Sequence, residues 1–492
     1  MKKYIFNSLA AIMMAGSLAS CGDDFLDTDI YNGIDLDSGL NSAGNISTAL
    51  NGTYYQFCRY YFAGNYATSI GDVVSDISYW NGSTGHFDGL YQFTYADTDT
   101  YLTYIWTYGY KVVDNSARII QAADAIYDNA TESEKQSLDL SKAEAYALRA
   151  YANLAMVNVY GHQVKVNGTD FSSQPGLVLV DTPVQALTDV SRSTVGETYQ
   201  FILEDLNNSL SHLEKAGGDQ GLLVYFSKAA VYGLLARTYL YLEDWINAAS
   251  NAQKALDASG ITTLAYTEAA YKALYNNSSS NSESMFALAI NSVTSWSANS
   301  CGTLWSTYNF SPNPYLQSLY GENDVRKVIM TFDETSPETV PVYGSGKFSH
   351  FESGNPAYGT NYLINAPEMF LIIAEANLKQ NNINAAQNAL LTVAKRNQDI
   401  TSVSDLPSDA NGLMQFIKDE RARELFQEGH RLWDLRRWDE RANVRLMMRP
   451  ISITPIPIIR FPIWYSLYLM RKSLQVLALN KMIGQVLFLN KN

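Results

Sequence analysis

Apolar positions recur with a helical period along much of the chain. Residues 226–256, FSKAAVYGLLARTYLYLEDWINAASNAQKAL, place Leu235, Ala236, Tyr239, Ala248 and Ala255 at positions 7, 8, 11, 20 and 27 of a tetratricopeptide repeat. Small residues at 8, 20 and 27 let two antiparallel helices approach closely, larger ones fill the groove, and Glu243-Asp244 makes the turn. A second copy, residues 366–396, sets Ile373, Ala374 and Ala386 at positions 7, 8 and 20. A third, looser pair joins residues 143–161 to residues 193–213. Its second helix opens on the capping box Thr194-x-x-Glu197 and presents Val195, Tyr199, Ile202, Leu206 and Leu213 on one face. Strand signals are few, VLVDTPVQ at 178–185 being one short candidate. The pattern predicts a mainly α chain: a tetratricopeptide-like helical repeat superhelix with long irregular loop insertions and minor β structure.

Two stretches, 63–110 and 262–365, break the periodicity and are rich in Ser, Asn, Tyr, Trp and Gly. Long irregular loops within a compact domain usually carry function. Exposed aromatic planes flanked by amides and carboxylates are the side chains such loops would use to bind a ligand. The first stretch offers Tyr79, Trp80 and Asn81 beside Asp76; the second offers Trp296, Trp305 and Tyr308. Trp80 is followed by Asn81-Gly82-Ser83, which predicts an exposed turn. Trp296 sits among Thr294, Ser295, Ser297 and Asn299. For any single one of these aromatics the alternative is that it plugs its loop onto the scaffold.

Composition adds limits. At 47% hydrophobic and 17% charged residues the chain is globular rather than disordered. The net charge of −14 disfavours nucleic acid and anionic membrane surfaces as partners. Residues 441–492 hold eight Lys/Arg and no acid, and Lys2 and Lys3 precede residue 21; removing these ten cations leaves −24 on residues 21–440. Cys58 and Cys301 are open to pairing or to remaining free thiols. No metal motif or cofactor motif stands out: the acidic run Asp23 to Asp37 lacks the spacing of a calcium loop, and Gly344-Ser-Gly346-Lys347 lacks the first glycine and the Ser/Thr of a phosphate loop.

The chain opens with Lys2-Lys3 and an apolar run to Leu18, the pattern of a signal peptide over residues 1–20. Leu18-Ala19-Ser20-Cys21 resembles a bacterial lipobox, which implies acylation of Cys21 and an acidic tether over residues 21–45. The run Asp23, Asp24, Asp27, Asp29 resembles the acidic export signals of Bacteroidetes surface lipoproteins.

Residues 416–438, FIKDERARELFQEGHRLWDLRRW, read as a charged helix, a break at Gly429 and a further helical turn. Asp419 with Arg423, and Glu428 with Arg431, are the expected ion pairs. Glu428, His430 and Asp434 suggest catalysis, but the adjacent arginines favour a structural network. The segment resembles the C-terminal signature of the SusD/RagB family. So do Asp24 to Asp27 after the cysteine, Asn51-Gly52-x-Tyr54, SRSTVGETYQFILEDL, the helix pair around LLARTYLY, and PEMFLIIAEA, all in family order over roughly residues 18–440. Asn365 departs from the pattern, since the family usually places arginine there.

The resemblance implies a repeat domain over residues 46–440 and a nutrient-binding outer-membrane lipoprotein rather than an enzyme. Such a protein captures oligosaccharide, or peptide in some members, and delivers it to a SusC-like TonB-dependent transporter. A surface glycoside hydrolase and a ligand-free repeat adaptor are the rivals. Residues 441–492 are apolar and basic where the family has a polar close. Four prolines and interspersed cations argue against a membrane span there, and a shifted reading frame from about residue 441 is expected.

Overall fold

The computed structural model describes residues 39–440, apart from 81–83, 97, 186–187, 277–279, 309, 331–345 and 350–352. Cys21, Asn81, the tether and the basic tail therefore lie outside the described residues. The principal helices are α1 (Ala43–Cys58), α2 (Tyr66–Val73), α3 (Thr100–Tyr127), α4 (Glu132–Tyr160), α5 (Val195–Ala216), α6 (Lys228–Tyr241), α7 (Trp245–Ser259), α8 (Ala366–Lys379), α9 (Ile383–Ala394), α10 (Ala410–Leu425) and α11 (Arg431–Arg437). Successive helices pack on one another from α3 through α9, and α10 lies against α8. This is the helical repeat architecture that the periodicity predicts.

Each predicted hairpin forms for the reason its spacing gives. Ala236, Ala248 and Ala255 have no exposed surface, so α6 and α7 meet at close range. Glu243 takes a left-handed conformation in the turn and the Asp244 side chain accepts the Asn247 N–H. α8 and α9 repeat the arrangement, with Ala374 and Ala386 fully buried. Helix α5 starts on the predicted capping box, Thr194 and Glu197 bonding reciprocally, and runs against α4.

Three small antiparallel sheets complete the fold. β1 (Ser78–Trp80) pairs with β5 (Phe310–Pro312), setting Trp80 opposite Phe310 and so tying the first irregular stretch to the second. β2 (Lys165–Val166) pairs with β3 (Thr169–Asp170), and β4 (Ser284–Leu288) with the buried β6 (Asn361–Asn365). Residues 178–185 are not a strand. Their backbone is satisfied by side chains instead: the Tyr110 hydroxyl accepts from Val178 N at 2.8 Å and donates to Val178 O at 3.0 Å, and Arg149 donates to the carbonyls of Val180 and Asp181.

The carboxy-terminal signature closes the molecule by burying charge in pairs. Arg437 binds Glu375 and Asp434, Arg421 binds Asp434, and Arg326 reaches Asp324, Glu420 and Glu424. The expected partners are exchanged: Arg423 pairs with Glu420 rather than Asp419, Glu428 with Lys347, and Arg431 with Asp76. The break before α11 has a steric cause. Gly429 is left-handed, and a Cβ there would lie 1.9 Å from the Thr68 carbonyl oxygen; one on Gly71 would lie 2.0 Å from the Gly429 oxygen. The Asp72 carboxylate accepts the N–H groups of Gly429 and Arg431 at 3.0 and 3.2 Å. Among the described residues no helix is long and apolar enough to cross a membrane.

Candidate functional site

The carboxyl end of α1 and the following turn carry Tyr55, Arg59, Tyr60 and Tyr61. The turn is fixed tightly. Phe62 N donates to Arg59 O, Asn361 Nδ2 donates to the carbonyls of Ala63 and Gly64, and Asn65 Nδ2 donates to Asn299 O. Trp296, from the second irregular stretch, donates its indole N–H to the Cys58 carbonyl at 2.9 Å. Its ring thereby comes within 5.8 Å of Tyr55 and 5.9 Å of Tyr60, centre to centre. Helix α3 supplies a third side, because Tyr101, Tyr104, Tyr108 and Lys111 fall on one stripe at helical spacing. Tyr61 is the hub, 3.9 Å from Tyr60, 4.2 Å from Tyr104 and stacked on Tyr108 at 4.6 Å.

Tyr55 is 52% exposed, while Tyr60, Tyr61, Tyr104, Tyr108 and Trp296 are half-buried. The rings thus form one mutually packed group that is partly open to solvent, Tyr55 most of all. Partial burial raises the phenol of Tyr108 above its usual range, as it does that of Tyr60 with Tyr61 beside it, so both stay neutral hydrogen-bond donors.

A second group of rings lies along the same seam. Tyr61 touches Tyr66, Tyr66 touches Phe87, and Phe87 touches Phe310 at 5.9, 5.6 and 6.4 Å. Trp80 lies nearly parallel to Phe310 at 6.3 Å. The turn expected at Asn81-Gly82-Ser83 lies outside the described residues, and Trp80 itself is the last residue of β1 and is half-buried. Tyr79 is its half-buried neighbour, and Tyr308 stacks on His86 at 3.7 Å.

Two predicted ligand residues are interior. Trp305 has no exposed surface and packs edge-on to Phe426 and Phe310, since its short helix (Cys301–Ser306) turns that side inward. Asp76 is 5% exposed, and both its oxygens are held by Arg431. Neither offers a face to a ligand from solvent. The tyrosines packed around Tyr61 were not singled out from the sequence; Arg59 and Lys111 beside them are the one signal that this face meets solvent.

The residues that suggest catalysis are committed elsewhere. Glu428 binds Lys347 and Asn365, Asp434 binds two arginines, and His430 is buried beside a small interior cavity with Arg237 and Tyr241. Burial and the neighbouring Arg237 push the His430 imidazole well below its usual range. Cys58 and Cys301 are both free thiols.

A family model described as "Starch-binding associating with outer membrane" matches residues 24–240, and one described as "SusD family" matches residues 269–457. The chain belongs to the SusD/RagB family. SusD superfamily crystal structures share its fold. One from Bacteroides thetaiotaomicron has a TM-score of 0.70 at 22% identity, covering 80% of this chain and 89% of that one. One from Bacteroides vulgatus has 0.71 at 22%, covering 82% and 90%. A SusD-like carbohydrate binding protein from Bacteroides vulgatus has 0.67 at 21%, covering 82% and 84%. No curated protein matches the chain. Within the SusD/RagB signature, Asn365 takes the usual arginine position and donates to Glu428 at 2.8 Å, while Lys347 supplies the positive charge.

Proposed function

We propose that the protein is a cell-surface oligosaccharide-binding lipoprotein. It captures glycan on the platform formed by Tyr55, Tyr60, Tyr61, Tyr104, Tyr108 and Trp296 and hands it to a SusC-like TonB-dependent transporter in the outer membrane. The observation that carries the reading is the convergence of three separate chain segments on one group of partly exposed rings. Pyranose C–H faces stack on such rings, and neutral phenols hydrogen-bond the ring hydroxyls. The family's own description, starch binding with outer-membrane association, supports the same ligand class.

Anchoring falls to Cys21, and the acidic segment after it links the anchor to the domain. A single acyl chain holds a protein only weakly, so the lipobox reading requires more than one. Binding without turnover is the expected activity. Titration calorimetry against a glycan panel, with chromatography of the incubated sugars, tests it: saturable binding with no product supports a capture protein, and released product would make it a hydrolase. Cys21→Ser is expected to abolish incorporation of labelled palmitate and to release the protein from the membrane fraction; retention in that fraction would remove the anchor.

A further inference from the structure

Two cations stand at the platform, and neither has a carboxylate partner among the described residues. The Arg59 guanidinium lies 4.9 Å from the centre of the Trp296 ring, 5.5 Å from that of Tyr61 and 5.9 Å from that of Tyr108. Its Nη1 donates to the Tyr55 hydroxyl at 3.0 Å, while its buried Nε has no hydrogen-bond partner among the described residues. The Lys111 ammonium lies 4.1 Å from the Tyr108 ring centre, on the other flank of the same ring system. In contrast, Arg149, Arg237, Arg326, Arg396, Arg431 and Arg437 each pair with at least one acid.

Acids outnumber cations heavily over residues 21–440, so surface cations have many possible partners. Arg192 and Arg436 also have no carboxylate partner among the described residues, but they donate to backbone carbonyls, whereas Arg59 and Lys111 face the aromatic rings. An anion bound at this ring cluster gains attraction from both cations. Burial, and after it the charge of Arg59, lower the Lys111 ammonium below its ordinary range.

Resting on the platform reading above, we infer that the ligand is an acidic oligosaccharide, its carboxylate or sulfate groups met by Arg59 or Lys111 at the flanks of the ring cluster while its sugar rings lie against the tyrosines. Arg59 supplies a planar donor fork and Lys111 a point charge, a combination suited to either anion. The surrounding negative field of the domain disfavours acidic glycans everywhere else on its surface, so these two side chains would also set the binding register.

The test uses matched probes on the intact soluble domain: tetragalacturonic acid against its fully methyl-esterified form, and a κ-carrageenan tetrasaccharide against its desulfated form. The expected result is that one acidic probe binds roughly ten- to a hundredfold tighter than its neutral counterpart, the increment of one or two charge-assisted hydrogen bonds. Which pair discriminates tells carboxylate from sulfate. Raising sodium chloride should erode the preference on the wild-type protein without any mutation. Arg59→Gln and Lys111→Gln should bring the acidic probe to the neutral level with the melting temperature held as a folding control. Equal binding of acidic and neutral probes, or an acidic preference untouched by both variants and by salt, overturns the inference and leaves the platform standing. Failure of all four probes to bind overturns the platform and the charge inference together.

Discussion

Asp76 and Arg431 lie 355 positions apart in sequence and meet in two hydrogen bonds of 2.7 and 2.9 Å. The pair joins the first irregular stretch to the carboxy-terminal signature in a place that water scarcely reaches. Removing the acid strands a buried guanidinium, so Asp76→Ala is expected to destabilise the fold by about 3–5 kcal/mol. Urea denaturation would measure it. An unchanged midpoint combined with lost glycan binding would instead return Asp76 to the ligand site.

The two second-stretch tryptophans should behave oppositely. Trp305→Ala empties a fully enclosed volume against Phe426 and should cost about 3–5 kcal/mol of stability. Trp296→Ala removes a half-buried ring with one hydrogen bond to Cys58, worth about 1 kcal/mol. Its main effect should be on glycan binding, weakened by roughly ten- to a hundredfold. Calorimetric titration alongside thermal melts separates the two, and equal melting losses would place Trp296 in the core as well.

These cases show what could be seen in the sequence. The hairpins were legible because close helix packing forces small residues to fixed spacings, and Ala236, Ala248 and Ala255 keep them. Trp305 was not, because its Ser- and Asn-rich surroundings have the composition of a surface loop, while the chain folds that loop back onto Phe426. The platform escaped for another reason. Tyr61, Tyr104 and Trp296 come from segments far apart in sequence, and a tyrosine stripe on a long helix looks like core until the neighbouring turn is in place. Trp296 alone among the platform rings was picked out, from its polar neighbours. Trp80, picked out for the turn expected after it, ends a strand that the alternation of so short a segment could not reveal.

Acid should unfold the protein through its paired carboxyls. Glu375 and Glu420 sit at about 2: burial pushes each up, and the guanidiniums of Arg437 for Glu375, and of Arg326 and Arg423 for Glu420, outweigh it. An unfolded glutamate titrates near ~4.3. The folded values are depressed, so their stabilisation is complete above that pH and is lost as pH falls toward 2. Unfolding midpoints measured from pH 6 to pH 2 should drop through this window, and Glu375→Gln should flatten part of the drop while lowering stability at neutral pH. A profile identical to wild type in shape would contradict the assignment.

Tyr110→Phe tests the segment that looked like a strand. The hydroxyl serves both backbone groups of Val178, and its loss leaves a buried N–H and carbonyl without that partner. The expected cost is about 1–3 kcal/mol, with faster hydrogen exchange at Val178. Protection equal to wild type would mean that the segment holds its conformation by packing alone.

The contact of Gly71 and Asp72 with Gly429 bears on when the protein can finish folding. Asp72 and its donor on Gly429 are separated by 357 positions, which a ribosome covers in roughly 20–70 s at about 5–20 residues per second. Through that interval the glycine face of α2 has nothing to pack against, and the carboxylates of Asp72 and Asp76 remain hydrated. The contact of the amino-terminal aromatic half with the Gly429 turn therefore cannot form until nearly the whole domain is present. Its closure waits for the arrival of the Gly429 turn, and nascent chains released short of that turn should be open to proteases across the whole tyrosine-rich region.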